Sequence, residues 1–289
     1  MIPACRLCPR DCGVPRGESG SGVCRRGSEM RVARAALHFW EEPPISGSRG
    51  SGTVFFTGCT LGCVFCQNGQ ISHGPVEGRK VTPQELSDIF FDLIAQGAHN
   101  INLVTPTHFV PQIRQALLVK KLPVPVVYNT SGYERVETLR SLEGLVDIYL
   151  PDYKYDDPAL AKALSRAEDY PQRAQAALAE MVRQVGAPVY DGEGLMTRGV
   201  LIRHLILPGQ VENSLRVLDW IGETFPRGTV LVSLMRQYTP MARVAEMPPF
   251  NRRVTQEEYE AVLSWMYLNG LDGFVQEAEA ASEKFIPNF

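Results

Sequence analysis

The sequence lacks long apolar runs and lacks an excess of positive charge. No stretch of the 289 residues approaches the roughly 18 apolar residues of a membrane-spanning helix. Arg6 and Cys8 interrupt the apolar N-terminus before a signal-peptide core can form. The net charge is −3, so no broad basic surface indicates nucleic-acid binding. These absences predict a cytoplasmic protein with no membrane partner, and they disfavour a nucleic acid as partner without excluding a small basic patch.

Cysteine is also scarce, but all seven cysteines fall into two groups. In a reducing cytoplasm, grouped cysteines favour metal ligation over a disulfide framework. The second group, Cys59, Cys63 and Cys66, has the spacing CxxxCxxC. Iron–sulfur clusters usually take four thiolates, so a three-cysteine loop leaves one iron open to a substrate or cofactor. A zinc loop or three incidental buried thiols are the alternatives, although zinc sites usually show paired CxxC knuckles and four ligands.

A CxxxCxxC loop directly after a first strand, followed here by Gln67-Asn68, resembles the radical S-adenosylmethionine (SAM) superfamily. Within it, the chain resembles relatives of pyruvate formate-lyase activating enzyme. The resemblance implies that the three cysteines ligate a [4Fe-4S] cluster whose fourth iron is chelated by SAM, and that Phe65 lies near the adenine. It further implies reductive cleavage of SAM to a 5′-deoxyadenosyl radical that takes hydrogen from a substrate. An electron donor such as flavodoxin or ferredoxin would supply the electron.

The first group of cysteines, Cys5, Cys8, Cys12 and Cys24, lies in a segment rich in glycine, proline and arginine with no helical or strand period. Such a segment needs something other than a core to order it. Four thiolates form a closed site, either for a structural zinc ion or for a second iron–sulfur cluster. The neighbouring three-cysteine loop favours iron–sulfur, and free cysteines in a flexible arm are the third interpretation.

From residue 52 onward the sequence alternates between strand and helix patterns. Capping boxes begin helices at Thr82 and Thr255. Predicted strands cover 52–57, 100–104, 124–128, 145–150, 199–207, 229–234 and 273–276, with a further possible strand at 31–39. Roughly six alternations are fewer than the eight of a full TIM barrel. The sequence therefore predicts an α/β fold, a partial (β/α)6 TIM-like barrel over 51–289, preceded by a cysteine-rich metal-binding segment and linker over 1–50.

Ligand groups gather at the carboxyl ends of parallel barrel strands, and the residues at these positions are unusually polar. By the resemblance, the candidates for cofactor binding are Thr105, Thr107, His108, Asn129, Thr130, Ser131, Asp152, Lys154 and Arg203. Asp152 would accept from the ribose hydroxyls, and Lys154 or Arg203 would pair with the SAM carboxylate. An ordinary exposed ion pair between Asp152 and Lys154 is the alternative.

Two segments depart from the resembled family. After the second barrel strand, Thr105-Pro-Thr-His108 stands where many members carry a Gly-Gly-Glu-like segment for the SAM amino group, and the segment 236–240 lacks an expected histidine. Thr105 or Thr107 can still accept from the ammonium, and His108 either faces the cluster, serves the substrate or is packed. Three hypotheses follow: hydrogen abstraction from a glycine of a glycyl radical enzyme, radical chemistry on a small molecule, peptide or RNA base, and a non-catalytic metal or electron-transfer module.

Overall fold

The structure is a computed structural model, and it describes residues 4–17, 20 and 22–276. The last 13 residues of the predicted barrel region, 277–289, lie outside the described residues. The strands are β1 (Arg31–His38), β2 (Ser51–Phe56), β3 (Arg79–Lys80), β4 (Ile101–Val104), β5 (Val126–Thr130), β6 (Ile148–Pro151), β7 (Val189–Tyr190), β8 (Met196–Leu205), β9 (Leu231–Met235) and β10 (Gly273–Val275).

The helices mostly follow the strands and connect them. The α-helices are α1 (Pro43–Ser46), α2 (Gly69–Ser72), α3 (Pro83–Ala95), α4 (Val110–Val119), α5 (Val136–Arg140), α6 (Pro158–Ser165), α7 (Tyr170–Val185), α8 (Val211–Thr224) and α9 (Gln256–Leu268). Short 3₁₀ helices cover Thr107–Phe109 and Ala242–Val244. Within the described ranges, no helix has the length and apolar character needed to cross a bilayer.

One sheet organises the chain, with the strand order β10-β9-β8-β6-β5-β4-β2-β1-β3. Along this order the pairs from β2 to β10 are parallel, whereas β1 pairs antiparallel with both β2 and β3. The short strand β7 lies outside this order and pairs antiparallel with β8. The order contains no pairing between the two ends of the sheet, so the described strands form an open barrel. This confirms the predicted partial TIM-like α/β fold, with antiparallel β1 added at one side.

The central parallel strands are buried on both faces, as a sheet covered by helices requires. All residues of β2, β4, β5 and β6 are buried. Leu86, Phe90 and Leu93 form the buried face of α3. This packing places the carboxyl ends of the parallel strands at one end of the barrel.

Both predicted capping boxes are present. The Thr82 hydroxyl accepts from the Glu85 backbone N–H at 3.2 Å, while Glu85 Oε2 accepts from the Thr82 N–H at 2.7 Å. Thr255 and Glu258 make the same reciprocal pair at 3.2 and 2.9 Å. Each box satisfies donors that the first turn of a helix leaves free.

Two connections differ from the sequence expectation. The segment 41–50 reads as a polar linker, but it contains the short helix α1 and carries side chains into the main cavity. The connection from β6 to β8 holds two helices: the long amphipathic helix α7, which the apolar spacing near 171–185 predicts, and ahead of it the unpredicted helix α6. Asp157 caps α6 by accepting from the Ala159 and Leu160 N–H groups.

Candidate active site

A cavity of about 490 Å³ lies at the carboxyl ends of the parallel strands. Residues from the ends of β2, β4, β5, β6, β8, β9 and β10 line it, together with the connection after β1. The predicted site residues that line it are Cys59, Cys63, Phe65, Cys66, Thr105, Asn129, Thr130, Ser131, Asp152, Lys154 and Arg203. One cavity therefore brings together the three-cysteine loop and most of the predicted cofactor-binding residues.

The cysteine loop leaves β2 through Gly58, whose φ is +85°. A Cβ there would lie 2.6 Å from the Cys24 carbonyl oxygen, so both the backbone conformation and the close approach require glycine. Polar hydrogens surround the three sulfurs. Cys59 Sγ accepts from the Leu61 and Gly62 N–H groups at 3.4 Å, Cys63 Sγ from the Ser165 hydroxyl at 3.1 Å, and Cys66 Sγ from the Ser72 hydroxyl at 3.5 Å.

The donor set of this loop fits an iron–sulfur cluster. Burial, together with the neighbouring Cys66 and Cys63, raises the pKa of Cys59 to about 12, and burial also raises the pKa of Cys66. Thiolates at Cys59 and Cys66 are therefore favoured here only beside a cationic group such as the iron of a cluster. The N–H and hydroxyl donors around the sulfurs are of the kind that tunes such a centre.

Asp152, Lys154 and Arg203 form a buried ionic network in the cavity wall. Asp152 accepts from Lys154 Nζ at 2.7 Å and from Arg203 Nε at 3.0 Å, and these side chains are only 12–15% exposed. Burial raises the pKa of Asp152, but Arg203 and Lys154 outweigh it, so that this pKa lies below its usual range. The pair is thus a buried, charged unit, in contrast to the exposed ion pair that the sequence left open.

Sequence reasoning missed Glu41 and Glu42, which also line the cavity. Glu41 accepts from Asn102 at 2.9 Å, from Asn129 at 3.3 Å and from Arg203 at 3.3 Å. Burial raises the pKa of both glutamates against the opposing effect of Arg203. The only signal in the sequence was an acidic pair ahead of Pro43-Pro44, which a turn explains equally well.

Of the three predicted residues Thr105, Thr107 and His108, only Thr105 lines the cavity. Thr105 lines the cavity with φ +58°, a left-handed conformation that is uncommon for threonine and that clusters at functional sites. The structure does not bring Thr107 and His108 to the cavity. The Thr107 hydroxyl donates to Glu134 at 2.6 Å, and His108 Nε2 donates to the Thr57 carbonyl at 2.8 Å.

His108 and Glu134 are buried groups behind the cavity wall. Burial lowers the pKa of His108 to about 3, so its ring is neutral and acts as a support for the strand end before the cysteine loop. Burial raises the pKa of Glu134 to about 7 against hydrogen bonds from Thr107 and Thr130. Glu134 accepts from the Thr130 hydroxyl, and this hydrogen bond fixes a residue of the cavity wall from behind.

Phe65 lies at the position that the resemblance gives to an adenine neighbour. Its ring lines the cavity and packs edge-on against Tyr155, with centroids 6.4 Å apart, and tilted against Tyr238 at 5.9 Å. The Asn129 side chain accepts from Arg203 at 2.6 Å and donates to Glu41. An aromatic face beside a few fixed polar groups is the usual lining of a small-molecule pocket.

The four N-terminal cysteines belong to a segment that packs against the cysteine loop, since the Cys24 carbonyl approaches Gly58. Burial raises the pKa of Cys8 to about 12, and nearby Cys24 and Cys5 raise it further. The pKa of Cys24 is also raised by burial and by Cys5 and Cys12, so the four thiols are electrostatic neighbours. Among the described residues, no three His, Cys, Asp or Glu side chains close around a single ion.

Comparison with known proteins places this arrangement in a family. The family description "Radical SAM superfamily" matches residues 53–221, which is more than half of the chain. An uncharacterized protein of Methanocaldococcus jannaschii is 30% identical over 277 residues, covering 93% of this chain and 75% of that protein. The chain therefore belongs to the radical SAM superfamily and is a radical SAM enzyme, whose family chemistry implies a [4Fe-4S] cluster and SAM.

Solved structures support the fold. A radical SAM methyltransferase from Sphaerobacter thermophilus has a TM-score of 0.53 at 18% identity, with 78% of this chain and 66% of that chain covered. SuiB from Streptococcus suis, bound to S-adenosylmethionine, has a TM-score of 0.53 at 14% identity, with coverages of 78% and 52%. The chain thus spans two thirds or less of these proteins, and identities this low establish the fold alone.

Proposed function

We propose that this radical SAM enzyme abstracts a hydrogen atom from a glycine residue of a partner protein, as an activating enzyme of a glycyl radical enzyme does. When bound, the reduced cluster and SAM supply a 5′-deoxyadenosyl radical, and flavodoxin or ferredoxin is the proposed electron donor. In this proposal the four N-terminal cysteines, whose side chains do not close around a single ion in the described part of the structure, rearrange to hold a second iron–sulfur cluster or a zinc ion.

The rim of the cavity is the observation that supports a protein substrate. Phe39 and Trp40 are 49% and 63% exposed, and both line the cavity beside Glu41. Large exposed aromatic side chains next to a deep pocket are typical of surfaces that bind polypeptide. Over the described strands the sheet is also open, which leaves a side from which an extended segment of a partner can approach the strand ends.

Residues of the chain would hold SAM and exclude water from it. In this proposal Phe65 contacts the adenine, Asp152 accepts from the ribose hydroxyls, and Lys154 or Arg203 pairs with the carboxylate. Thr105 provides an oxygen for the ammonium. All five side chains line the same cavity as the three cluster cysteines.

A small-molecule substrate is the second candidate function, and the charged wall favours it. Glu41, Glu42, Asp152, Lys154 and Arg203 give the cavity three carboxylates and two cations. Such a lining also suits a zwitterionic metabolite.

Deuterium transfer separates the two candidates. The reconstituted enzyme is reduced with SAM and with a glycyl radical enzyme from the same cell that carries [2-²H]glycine. Deuterium in the 5′-deoxyadenosine supports the glycine proposal. If the deoxyadenosine takes up deuterium only from a fully deuterated small-metabolite extract, and never from the labelled protein, then the proposal is wrong.

A further inference from the structure

Arg10 reaches from the four-cysteine segment to the cluster loop. It stands between Cys8 and Cys12 in the sequence. Its Nε donates to the Thr60 carbonyl at 2.9 Å, and its Nη2 donates to the Leu61 carbonyl at 2.9 Å. Thr60 and Leu61 lie between the first two cysteines of the loop, so one guanidinium fixes the loop backbone at the point where two ligands diverge.

The same side chain also reaches the C-terminal end of α6. Arg10 Nη2 donates to the Ser165 carbonyl at 2.6 Å, and Nη1 donates to the Arg166 carbonyl. The Ser165 hydroxyl in turn donates to Cys63 Sγ. The guanidinium lies 5.2 Å from the centre of the Tyr133 ring, in cation–π contact. Arg10 therefore holds the C-terminal end of α6 and the cysteine loop together.

A second contact joins the two segments. As noted above, the Cys24 carbonyl packs against Gly58, the residue before Cys59, so closely that a Cβ on Gly58 would clash with it. Cys8 and Cys12, which flank Arg10, and Cys24 all belong to the four-cysteine group. Any metal that orders those cysteines would also order Arg10 and the backbone that touches Gly58.

From these contacts we propose that Arg10 is a positioning residue that couples metal loading of Cys5, Cys8, Cys12 and Cys24 to retention of the cluster at Cys59, Cys63 and Cys66. The inference rests on the proposed metal at the four-cysteine site, but it is independent of the substrate. The physical reason is that a loop without regular secondary structure must have its carbonyl groups satisfied, and a planar guanidinium satisfies several at fixed geometry. A lysine at position 10 would keep the positive charge but would lack the planar array of N–H donors of the guanidinium.

A double-mutant cycle on the holoenzyme tests this coupling without any substrate. The variants are Arg10→Gln, Cys8→Ser with Cys24→Ser, and the combination of all three. The measurement is the rate at which a chelator removes iron from the SAM-responsive cluster, followed by its electron paramagnetic resonance signal. We expect the cysteine changes to speed this loss at least fivefold when Arg10 is intact and by less than twofold in the Arg10→Gln background.

Controls separate coupling from a folding defect. Arg25→Gln removes another arginine of the same segment, one whose exposed guanidinium donates to the His73 carbonyl at 3.2 Å, and it should leave the rate unchanged. If Arg10→Gln fails to fold, then Arg10→Lys is used, with the same direction and a smaller effect expected. Equal effects of the cysteine changes in both backgrounds, or no effect in either, would overturn the proposal.

Discussion

Asp152 is the residue whose removal should disturb the site most sharply. It receives hydrogen bonds from Lys154 Nζ at 2.7 Å and from Arg203 Nε at 3.0 Å, in a wall where these side chains are nearly buried. Asp152→Asn keeps the shape but removes the negative charge. Lys154 then loses its carboxylate partner, while Arg203 keeps its hydrogen bonds to the Glu41 carboxylate at 3.3 Å and to the side-chain oxygen Oδ1 of Asn129.

The size of the effect follows from this asymmetry. Breaking a buried ion pair and leaving one charge uncompensated costs about 3–5 kcal/mol. The remaining partners of Arg203 and the slight exposure of the network reduce the cost, so we expect Asp152→Asn to lower the free energy of unfolding by about 2–4 kcal/mol. SAM should also bind more weakly, because the neighbouring cations lose the group that orients them.

Urea unfolding of the wild type and the variant measures this difference. Glu168→Gln is the matched control, because Glu168 pairs with Lys162 at 2.9 Å and the two side chains are 63% and 66% exposed. Removing one partner of a pair that is exposed on both sides should cost less than about 1 kcal/mol. Equal unfolding midpoints for Asp152→Asn and the wild type would refute the account of this network.

The stabilisation that Asp152 provides should depend on pH, and the direction of its pKa shift fixes the sign of that dependence. Because Arg203 and Lys154 hold the pKa of Asp152 below the ordinary value of 3.8, its charged form stabilises the fold at pH values above 3.8. That contribution is lost as the pH falls through the lower, folded-state pKa. The gap between wild type and Asp152→Asn should therefore be fully open near neutral pH and should close under strong acid.

The remaining predictions concern buried groups around the cavity. Burial raises the pKa of Glu134 from 4.5 to about 7, so its protonated form stabilises the fold fully below pH 4.5, and this contribution is lost as the pH rises through 7. Over this pH range, the free energy of unfolding of Glu134→Gln, measured in urea, should rise relative to that of the wild type by up to about 3 kcal/mol. His204 is a buried residue of β8 whose ring contacts the Tyr153 carbonyl and the Ser214 hydroxyl. Burial lowers its pKa from 6.5 to about 4, so the contribution of the neutral ring is complete above pH 6.5 and is lost as the pH falls through 4. Over this window the wild type should lose up to about 3 kcal/mol more than His204→Gln in urea unfolding. Gly132 has φ +75°, and a Cβ would lie 2.2 Å from the Asp152 carbonyl oxygen, so Gly132→Ala should cost about 2 kcal/mol or more in thermal unfolding, and an unchanged midpoint would contradict this packing.

The order of strands and helices was largely readable from the sequence because buried parallel strands and capped helices leave strong local signals. The capping boxes at Thr82 and Thr255 are fixed within four residues, and the structure forms both. Antiparallel β1 and the extra helix α6 carry weaker signals. Whether β1 joins the sheet depends on its long-range pairing with β2, which no local pattern specifies.

The cluster loop could be predicted from the sequence because ligand chemistry dictates the spacing of its cysteines. Residues that join the site through contacts distant in the sequence could not be predicted. Three cysteines in eight residues identify the loop by themselves. Glu41 lies 162 residues from Arg203 in the sequence, so its place in the ionic network appears only in three dimensions. Arg10 is similar, because its partners Ser165 and Arg166 are more than 150 residues away.

The most direct test of the account is spectroscopic. The protein is reconstituted anaerobically with iron and sulfide, reduced, and examined by electron paramagnetic resonance with and without SAM, and 5′-deoxyadenosine is then quantified. We predict a [4Fe-4S] signal that changes when SAM is added, is lost in Cys63→Ser, and is accompanied by multiple turnovers of deoxyadenosine. A reduced cluster that does not respond to SAM and yields no deoxyadenosine would contradict the assignment of this cavity as a SAM-cleaving site.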